Sequence, residues 1–156
     1  MHDFALRHSL ERWEDAFGSL ALVRGKRILD LGCGAVRGGK EHEGLRETWA
    51  PWLCRAVLEL GGEAVGIDVG MLSRIDSFEY FRGDLRHPRS FSNLEGRVFD
   101  GINCSNLFSS PELIYGLGCN DKAERQAFRE ELLERAKVHL APGGIFIHFD
   151  SDFNNY

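Results

Sequence analysis

The 156-residue sequence predicts an α/β fold, in which a doubly wound, mostly parallel sheet carries helices on both faces. Short apolar runs, each followed by a glycine or an acid, alternate with longer stretches whose apolar residues recur at helical spacing. Strands that alternate with helices form parallel sheets, because right-handed crossovers place the helices on the two faces. The length, with 43% apolar and 28% charged residues, favours a single domain over residues 1–156.

Three segments have the periodicity of amphipathic helices. They cover residues 1–18, 45–60 and 122–140. The first is a leading helix that ends at Gly18, and Pro142-Gly143-Gly144 is expected to stop the third.

Five apolar segments are predicted strands. They cover residues 27–31, 63–68, 78–82, 98–103 and 145–149. The first is a short apolar run that enters a glycine-rich loop, which is typical of a buried, central parallel strand. In such sheets ligands bind beyond the carboxyl ends of the strands, where the strand order reverses. We therefore expect the functional residues in the loops after the first four strands.

Charge argues against nucleic acid as a partner. The net charge is −5 and the isoelectric point is near 5.7, whereas phosphate backbones attract clustered Lys and Arg. A basic cluster of Arg82, Arg86, His87 and Arg89 is interrupted by Asp84. We interpret it as a solvated turn, with contact to an anionic substrate as the alternative.

Cysteine spacing and hydropathy exclude other classes. The four cysteines contain no C-x-x-C pair, so we expect reduced, mostly buried thiols and neither a metal site nor a disulfide framework. No apolar run is long enough to span a membrane, and the charged N-terminus lacks the apolar centre of a signal peptide. The expected location is the cytoplasm.

The loop after the first strand carries the strongest functional signal, Asp30-Leu-Gly32-Cys33-Gly34. Its glycines let the backbone approach a ligand closely. A dinucleotide fingerprint requires G-x-G-x-x-G, but the sixth residue from Gly32 is Arg37, so an NAD-dependent oxidoreductase is the least favoured alternative. An acid ahead of G-x-G suits a ligand with an ammonium group, which Asp30 can bind directly or through water.

The segment ILDLGCG resembles the first motif of the class I methyltransferases that use S-adenosylmethionine (SAM), Asp/Glu-x-Gly-x-Gly. The resemblance covers about residues 20–150 and implies a Rossmann-like sheet in the order 3-2-1-4-5 with SAM as cofactor. Asp68 stands where the family's acid accepts hydrogen bonds from both ribose hydroxyls, and Asp84-Leu85 where the adenine is recognised. Considered singly, Asp68 and Asp84 have loop acids or helix N-caps as their alternatives.

The resemblance also extends to the fourth strand and the turn before the fifth. Phe99 to Asn106 resembles the segment beside the methyl group, and Leu140 to Gly144 the helix-to-strand turn. The cofactor-binding residues that follow from the resemblance are Asp30, Gly32, Cys33, Gly34, Asp68, Val69, Asp84, Leu85 and Asn103.

The expected activity is methyl transfer to a small molecule or to a group presented by a partner. The alternative is a regulatory or assembly subunit that binds SAM without turnover. No catalytic residue is assigned. Asn106, His148 and Asp150 are candidates near the transferred methyl, and either of the last two can act as a general base, although His148 inside an apolar strand is typical of a core histidine. Base methylation is disfavoured, because the N-P-P-aromatic and Pro-Cys signatures are absent.

Two further expectations concern surfaces. The aromatic residues Trp49, Trp52, Phe108 and Tyr115 either line an acceptor pocket or pack in the core. The family fold adds a hairpin after strand five for which this sequence has no residues, so 145–149 is expected to be an apolar edge. We therefore expect a homo-oligomer or a partner that covers this edge; a shortened chain is the alternative explanation.

Overall fold

The computed structural model describes residues 2–35, 50–72, 76–110 and 112–150, and in this part of the chain five strands form one parallel sheet. The strands are β1 (Arg27–Leu31), β2 (Glu63–Asp68), β3 (Glu79–Arg82), β4 (Phe99–Ser105) and β5 (Leu140–Phe149). Their order is β3-β2-β1-β4-β5. The predicted α/β fold and strand order are confirmed.

Helices cover both faces of this sheet. They are α1 (His2–Phe17), α2 (Trp52–Glu59) and α3 (Lys122–Lys137). Trp13 of α1 and Leu53 of α2 belong to the core on one face, and Phe128 and Leu132 of α3 belong to the core on the other. The leading helix ends one residue before Gly18, as predicted.

Alternation along the strands sends successive side chains to opposite faces. In β1, Ile28 packs with the α1/α2 core, whereas Leu29 and Leu31 pack with the α3 core. Trp13 lies directly on β4, since a Cβ added at Gly101 would be 2.4 Å from its ring. The missing side chain at position 101 therefore lets α1 approach the sheet.

The predicted end of the third helix is wrong. Helix α3 stops at Lys137, and Pro142-Gly143-Gly144 lies inside β5 instead of terminating the helix. Between the pairs Phe99↔Leu140 and Gly101↔Ile145 the register shifts, so two steps along β4 face five along β5. The Pro-Gly-Gly segment accommodates this irregularity, with Gly143 at a φ of 74°.

Strand β5 begins at Leu140, five residues before its predicted start, whereas the other strand boundaries differ by at most two residues. Strand β4 continues to Ser105, two residues beyond its predicted end, and β3 begins at Glu79. The second helix begins at Trp52. Residues 45–49 of its predicted span, including Trp49, lie outside the described residues, and so does Arg37 of the glycine-rich loop.

All four cysteines have free thiols and are buried, which agrees with the expectation of buried thiols. Among the described residues, none of the helices has the length and apolar character that a membrane crossing requires. The same part of the chain holds no cluster of three or more side chains suited to a metal ion.

Candidate functional site

The candidate site lies at the carboxyl ends of β1, β2 and β4. Strand β1 is flanked by β2 on one side and by β4 on the other, so the strand order reverses here. Open α/β sheets bind their ligands at such a reversal. The strand ends bring Asp30, Asp68 and Asn103 to this edge.

The G-x-G loop adopts a conformation that favours glycine at both positions. Gly32 has a φ of 71° and Gly34 a φ of 89°, which lie in the left-handed region. The N–H of Gly32 donates to the carbonyl of Ile67 at 2.9 Å, which ties the loop to β2. A Cβ at position 32 would lie 2.9 Å from Cδ1 of Leu107, so the loop after β4 closes on this glycine.

Asp68 joins the G-x-G loop to the loop after β2. Its Oδ2 accepts the N–H of Gly34 at 3.0 Å, and its Oδ1 accepts that of Gly70 at 2.9 Å. Burial raises the pKa of Asp68, and hydrogen bonds from the backbone of Gly70, Gly34 and Val69 oppose this rise. A carboxylate has about four lone-pair positions, so with three backbone N–H groups already bonded, acceptor capacity remains for about one ligand hydroxyl.

Asp30 is buried, with only 4% of its surface exposed, and it faces α2. Its Oδ1 accepts Nδ2 of Asn103 at 2.7 Å, and its Oδ2 lies 3.7 Å from the donating thiol of Cys54. Burial raises its pKa to about 6, the bonds from Asn103 and Cys54 lower it, and the charge of Asp68 raises it further. Such a carboxyl gains most from a cationic partner, because a nearby positive charge favours the ionised form.

Asn103 is opposite Asp30 in the register of β4 and β1, and its Oδ1 accepts the hydroxyl of Ser105 at 2.8 Å. The sequence pattern indicated Asp30 and Asn103 separately but not their contact. Cys54 was missed as a neighbour, because nothing in its spacing relates it to β1.

The side chain of Cys33 points into the core and away from the ligand side. A Cβ added at Gly66 would lie 2.6 Å from its Sγ, and the residue is buried. Burial raises the pKa of the Cys33 thiol, with further contributions from Cys54 and nearby carboxylates. Only the backbone of Cys33 is therefore positioned to meet a ligand.

Asp84, at the end of β3, is held by an arginine. Nη2 of Arg86 lies 2.6 Å from its Oδ2, and Nε lies 3.0 Å from both carboxylate oxygens. Burial acts to raise the pKa of Asp84, but the hydrogen bonds from Arg86 outweigh it and lower the pKa. The neighbouring Leu85 is buried, and its carbonyl accepts Nη1 of Arg135 at 3.0 Å.

The candidate bases His148 and Asp150 lie on a different side of the sheet from Asp30. His148 is opposite Cys104 of β4, packs against Phe108 and lies 3.4 Å from Nη2 of Arg129 on α3. Its buried Nε2 has no hydrogen-bond partner among the described residues, and Oδ2 of Asp150 is 3.6 Å away. The ring of His148 is therefore packed as expected of a core histidine, but its Nε2 lacks the hydrogen bond that such a residue usually makes.

Asp150 anchors the loop after β4. Its Oδ1 accepts the N–H and the hydroxyl of Ser109 at 2.9 and 2.7 Å, and its Oδ2 accepts the N–H of Phe108 at 3.3 Å. Asn106, in the same loop, has a left-handed φ of 56° and donates its N–H to the carbonyl of Phe149 at 2.6 Å. These contacts give Asp150 and the backbone of Asn106 a clear structural role.

The aromatic candidates fall into different environments. Phe108 is fully buried in the α3 core, which supports the packing interpretation. Tyr115 has 66% of its surface exposed on a π-helical turn, Glu112–Gly116, and Trp52 is half-buried at the start of α2 under the guanidinium of Arg55.

The sequence matches no protein-family model and no curated protein. Among solved structures, the chain is similar to an O-methyltransferase family protein from Burkholderia thailandensis, with 17% identity, a TM-score of 0.52 and 94% of this chain covered. The chain spans 39% of that protein's length.

Two other solved structures give lower scores. An epimerase from Methanothermobacter thermautotrophicus, Mth375, has 17% identity and a TM-score of 0.43, with 85% of this chain and 37% of that chain covered. A short chain dehydrogenase family protein from Francisella tularensis has 15% identity and a TM-score of 0.49, covering 85% of this chain and 54% of that one. At these identities, the likeness to the first structure shows a Rossmann-like α/β fold.

Proposed function

We propose that this protein binds SAM at the carboxyl edge of the sheet and transfers its methyl group to a small molecule or to a group presented by a partner. The observation that carries the proposal is a hydrogen bond between the two motifs: the carboxylate of Asp68 accepts the N–H of Gly34 at 3.0 Å. The glycine loop and the β2 acid, 34 residues apart in sequence, thus form one preorganised cradle.

The chemistry of the acceptor set fits this ligand. Asp30 lies in β1, Asp68 is the last residue of β2 and Asp84 follows β3 by two residues; the three strands are neighbours in the sheet. SAM presents donors in the same order along its length: an ammonium group, two ribose hydroxyls and the adenine amino group. In the strand register Asp30 is opposite Gly66 and Asp68 is opposite Arg82, so each acid lies two residues beyond the position level with the one before it. The carboxylates are therefore spread in the order of these donors, and each can accept a hydrogen bond from one part of the molecule.

Individual residues have distinct proposed roles. Asp30 would orient the ammonium group. Asn103 would hold the carboxylate of Asp30 in position, since both residues are buried and Nδ2 of Asn103 donates to Oδ1 of Asp30 at 2.7 Å. The backbone of Gly32, Cys33 and Gly34 would line the amino-acid end. Val69 follows the ribose acid, and the backbone of Leu85 would meet the adenine beside Asp84. Arg86 must share the Asp84 carboxylate with the adenine amino group, because it already contacts both oxygens.

Methyl transfer makes modest demands on the protein. Bound SAM supplies a methyl group that its sulfonium already activates, so the residues chiefly hold donor and acceptor in line and exclude water. Asp150 is engaged by the loop after β4, and His148 faces α3, so neither is assigned as a base. The solved O-methyltransferase family structure supports the proposal at the level of fold.

The second candidate is a subunit that binds SAM without turnover and acts in regulation or assembly. The observation that favours it is that neither candidate base is free to act on an acceptor: Asp150 is bonded to the loop after β4, and His148 lies against Arg129 of α3.

Incubation with methyl-labelled SAM and the small-molecule fraction of a cell extract distinguishes the two candidates. The enzyme proposal predicts S-adenosylhomocysteine and a labelled product in equal amounts, both lost with Asp68→Asn. Saturable SAM binding without any labelled product, from small-molecule and protein fractions alike, would establish the binding subunit instead.

A further inference from the structure

A groove of about 500 Å³ opens beside the end of β3, outside the candidate SAM site. One wall carries Arg82, the last residue of β3, and the other is formed by the turn with His87, Arg89, Ser90 and Asn93. Gly83 allows the two walls to approach, since a Cβ there would lie 2.7 Å from Oγ of Ser90. The volume is that of a small-molecule pocket.

The lining of this groove is cationic. Arg82 and Arg89 contribute guanidinium groups to it, and none of its described lining residues is an acid. The carboxylate of Asp84 is paired with Arg86 at 2.6 Å, and its Oδ2 also lies 3.8 Å from Nε2 of His87. This concentration of basic groups contrasts with the net charge of −5, so the groove is a local site for anions on an acidic protein.

The donors in the groove are available. Arg82 uses its Nε to donate to the carbonyl of Val69 at 3.0 Å, and its two Nη groups make no hydrogen bond within the described residues. The guanidinium of Arg89 and the amide of Asn93 also make none there, although the Arg89 carbonyl accepts Oγ of Ser92. The bond to Val69 holds Arg82 in place, which reduces the entropy lost when it binds a ligand.

We propose that this groove binds the phosphate monoester group of a small ligand. Two guanidinium groups with free forked N–H donors match the geometry and the double negative charge of a phosphate monoester. The amide group of Asn93 is suited to a remaining polar atom of such a ligand, whereas the Ser90 hydroxyl already donates to the carbonyl of Asp84 at 2.5 Å.

This site is separate from the position of methyl transfer. Three strand spacings of about 4.8 Å, roughly 14 Å in all, separate β3 from β4 across the sheet. A ligand in the groove therefore occupies a second site next to the adenine end, and its binding does not require SAM.

Titration of the full chain with ribose 5-phosphate, inorganic phosphate and unphosphorylated ribose tests the proposal, with amide chemical shifts as readout at constant chloride concentration. We expect saturable shifts around residues 82–93 from both phosphate probes and none from ribose. Arg89→Gln should weaken binding about tenfold, the cost of losing a charge-assisted hydrogen bond. Arg27→Gln, the same change at the opposite end of the sheet, should leave it unchanged.

Three outcomes would overturn the proposal. Equal affinity in the Arg89→Gln variant would show that the groove does not bind the probe. Equal shifts with ribose would show that the phosphate is not recognised. Tighter, salt-sensitive binding of a single-stranded oligonucleotide than of ribose 5-phosphate would indicate a nucleic-acid surface. Because SAM is absent from the titration, these results are independent of the proposed methyltransferase activity.

Discussion

At the scale of single residues, Asp30 is an acid held in an environment that disfavours its charge. Only the two donors from Asn103 and Cys54 compensate its burial in the described structure. The motif alone indicates Asp30, because an acid before G-x-G is recognisable in sequence. Its partners depend on the β1–β4 register and on the packing of α2, neither of which the sequence specifies.

Asp30→Asn should therefore change the pH dependence of stability. Above pH 3.8 the unfolded chain releases the Asp30 proton, whereas the folded protein retains it to about pH 6. In that window the folded state binds more protons, so this carboxyl makes the unfolding free energy fall as pH rises. Relative to Asp30→Asn, wild type should lose roughly 3 kcal/mol between about pH 4 and pH 7.

Urea unfolding of both proteins across this range measures the difference directly. Parallel stability curves would contradict the raised pKa.

The ionisation of Asp30 also predicts a pH dependence of binding. The affinity for SAM should rise as the pH passes through about 6, because the ammonium group favours ionised Asp30.

At the scale of elements, sequence and structure agree best where a strand is buried along most of its length, as in β1, β2 and β4. The five strands were predictable because their apolar side chains are needed on both faces of a covered sheet. The Pro-Gly-Gly segment was misassigned because its turn chemistry fits a helix end as well as a strand irregularity, and only pairing with β4 decides between them. The conformation of the loop after β4 could not be predicted from the sequence either, since it depends on contacts with residues at the end of β5.

That loop provides a test of backbone strain. Asn106 has a φ of 56°, which asparagine and glycine tolerate and alanine does not. Asn106→Ala should lower the unfolding free energy by about 1 kcal/mol, whereas Asn106→Gly should cost less. Urea denaturation of the two variants compares them; equal stability would show that position 106 is not left-handed in solution.

At the scale of the whole molecule, β5 is an edge of the sheet. It pairs with β4 on one side, and no other described strand lies beyond it. Its residues Ile145, Phe146 and Ile147 pack against the two cores, and the backbone of an edge strand can pair with another chain. We propose that a second copy of the chain or another partner covers this edge.

Sedimentation velocity over a range of concentrations tests the homo-oligomer. We expect the sedimentation coefficient to rise with concentration towards that of a dimer, because edge pairing adds backbone hydrogen bonds and apolar contact. A monomer at every concentration would contradict self-association. The edge of β5 would then have to be covered by a different partner.

The central claim is that Asp68 and the glycine loop form a SAM site, and calorimetric titration with SAM tests it most directly. We expect SAM to bind more tightly than NAD, with Asp68→Asn weakening the affinity about tenfold or more through loss of ribose hydrogen bonds. Asp100→Asn is the matched control, since Asp100 also accepts a backbone N–H, from Arg27 at 2.9 Å, but at the opposite end of the sheet. We expect the Asp100→Asn variant to bind SAM with the affinity of the wild type. Absence of SAM binding, or equal affinity in Asp68→Asn and wild type, would contradict the account.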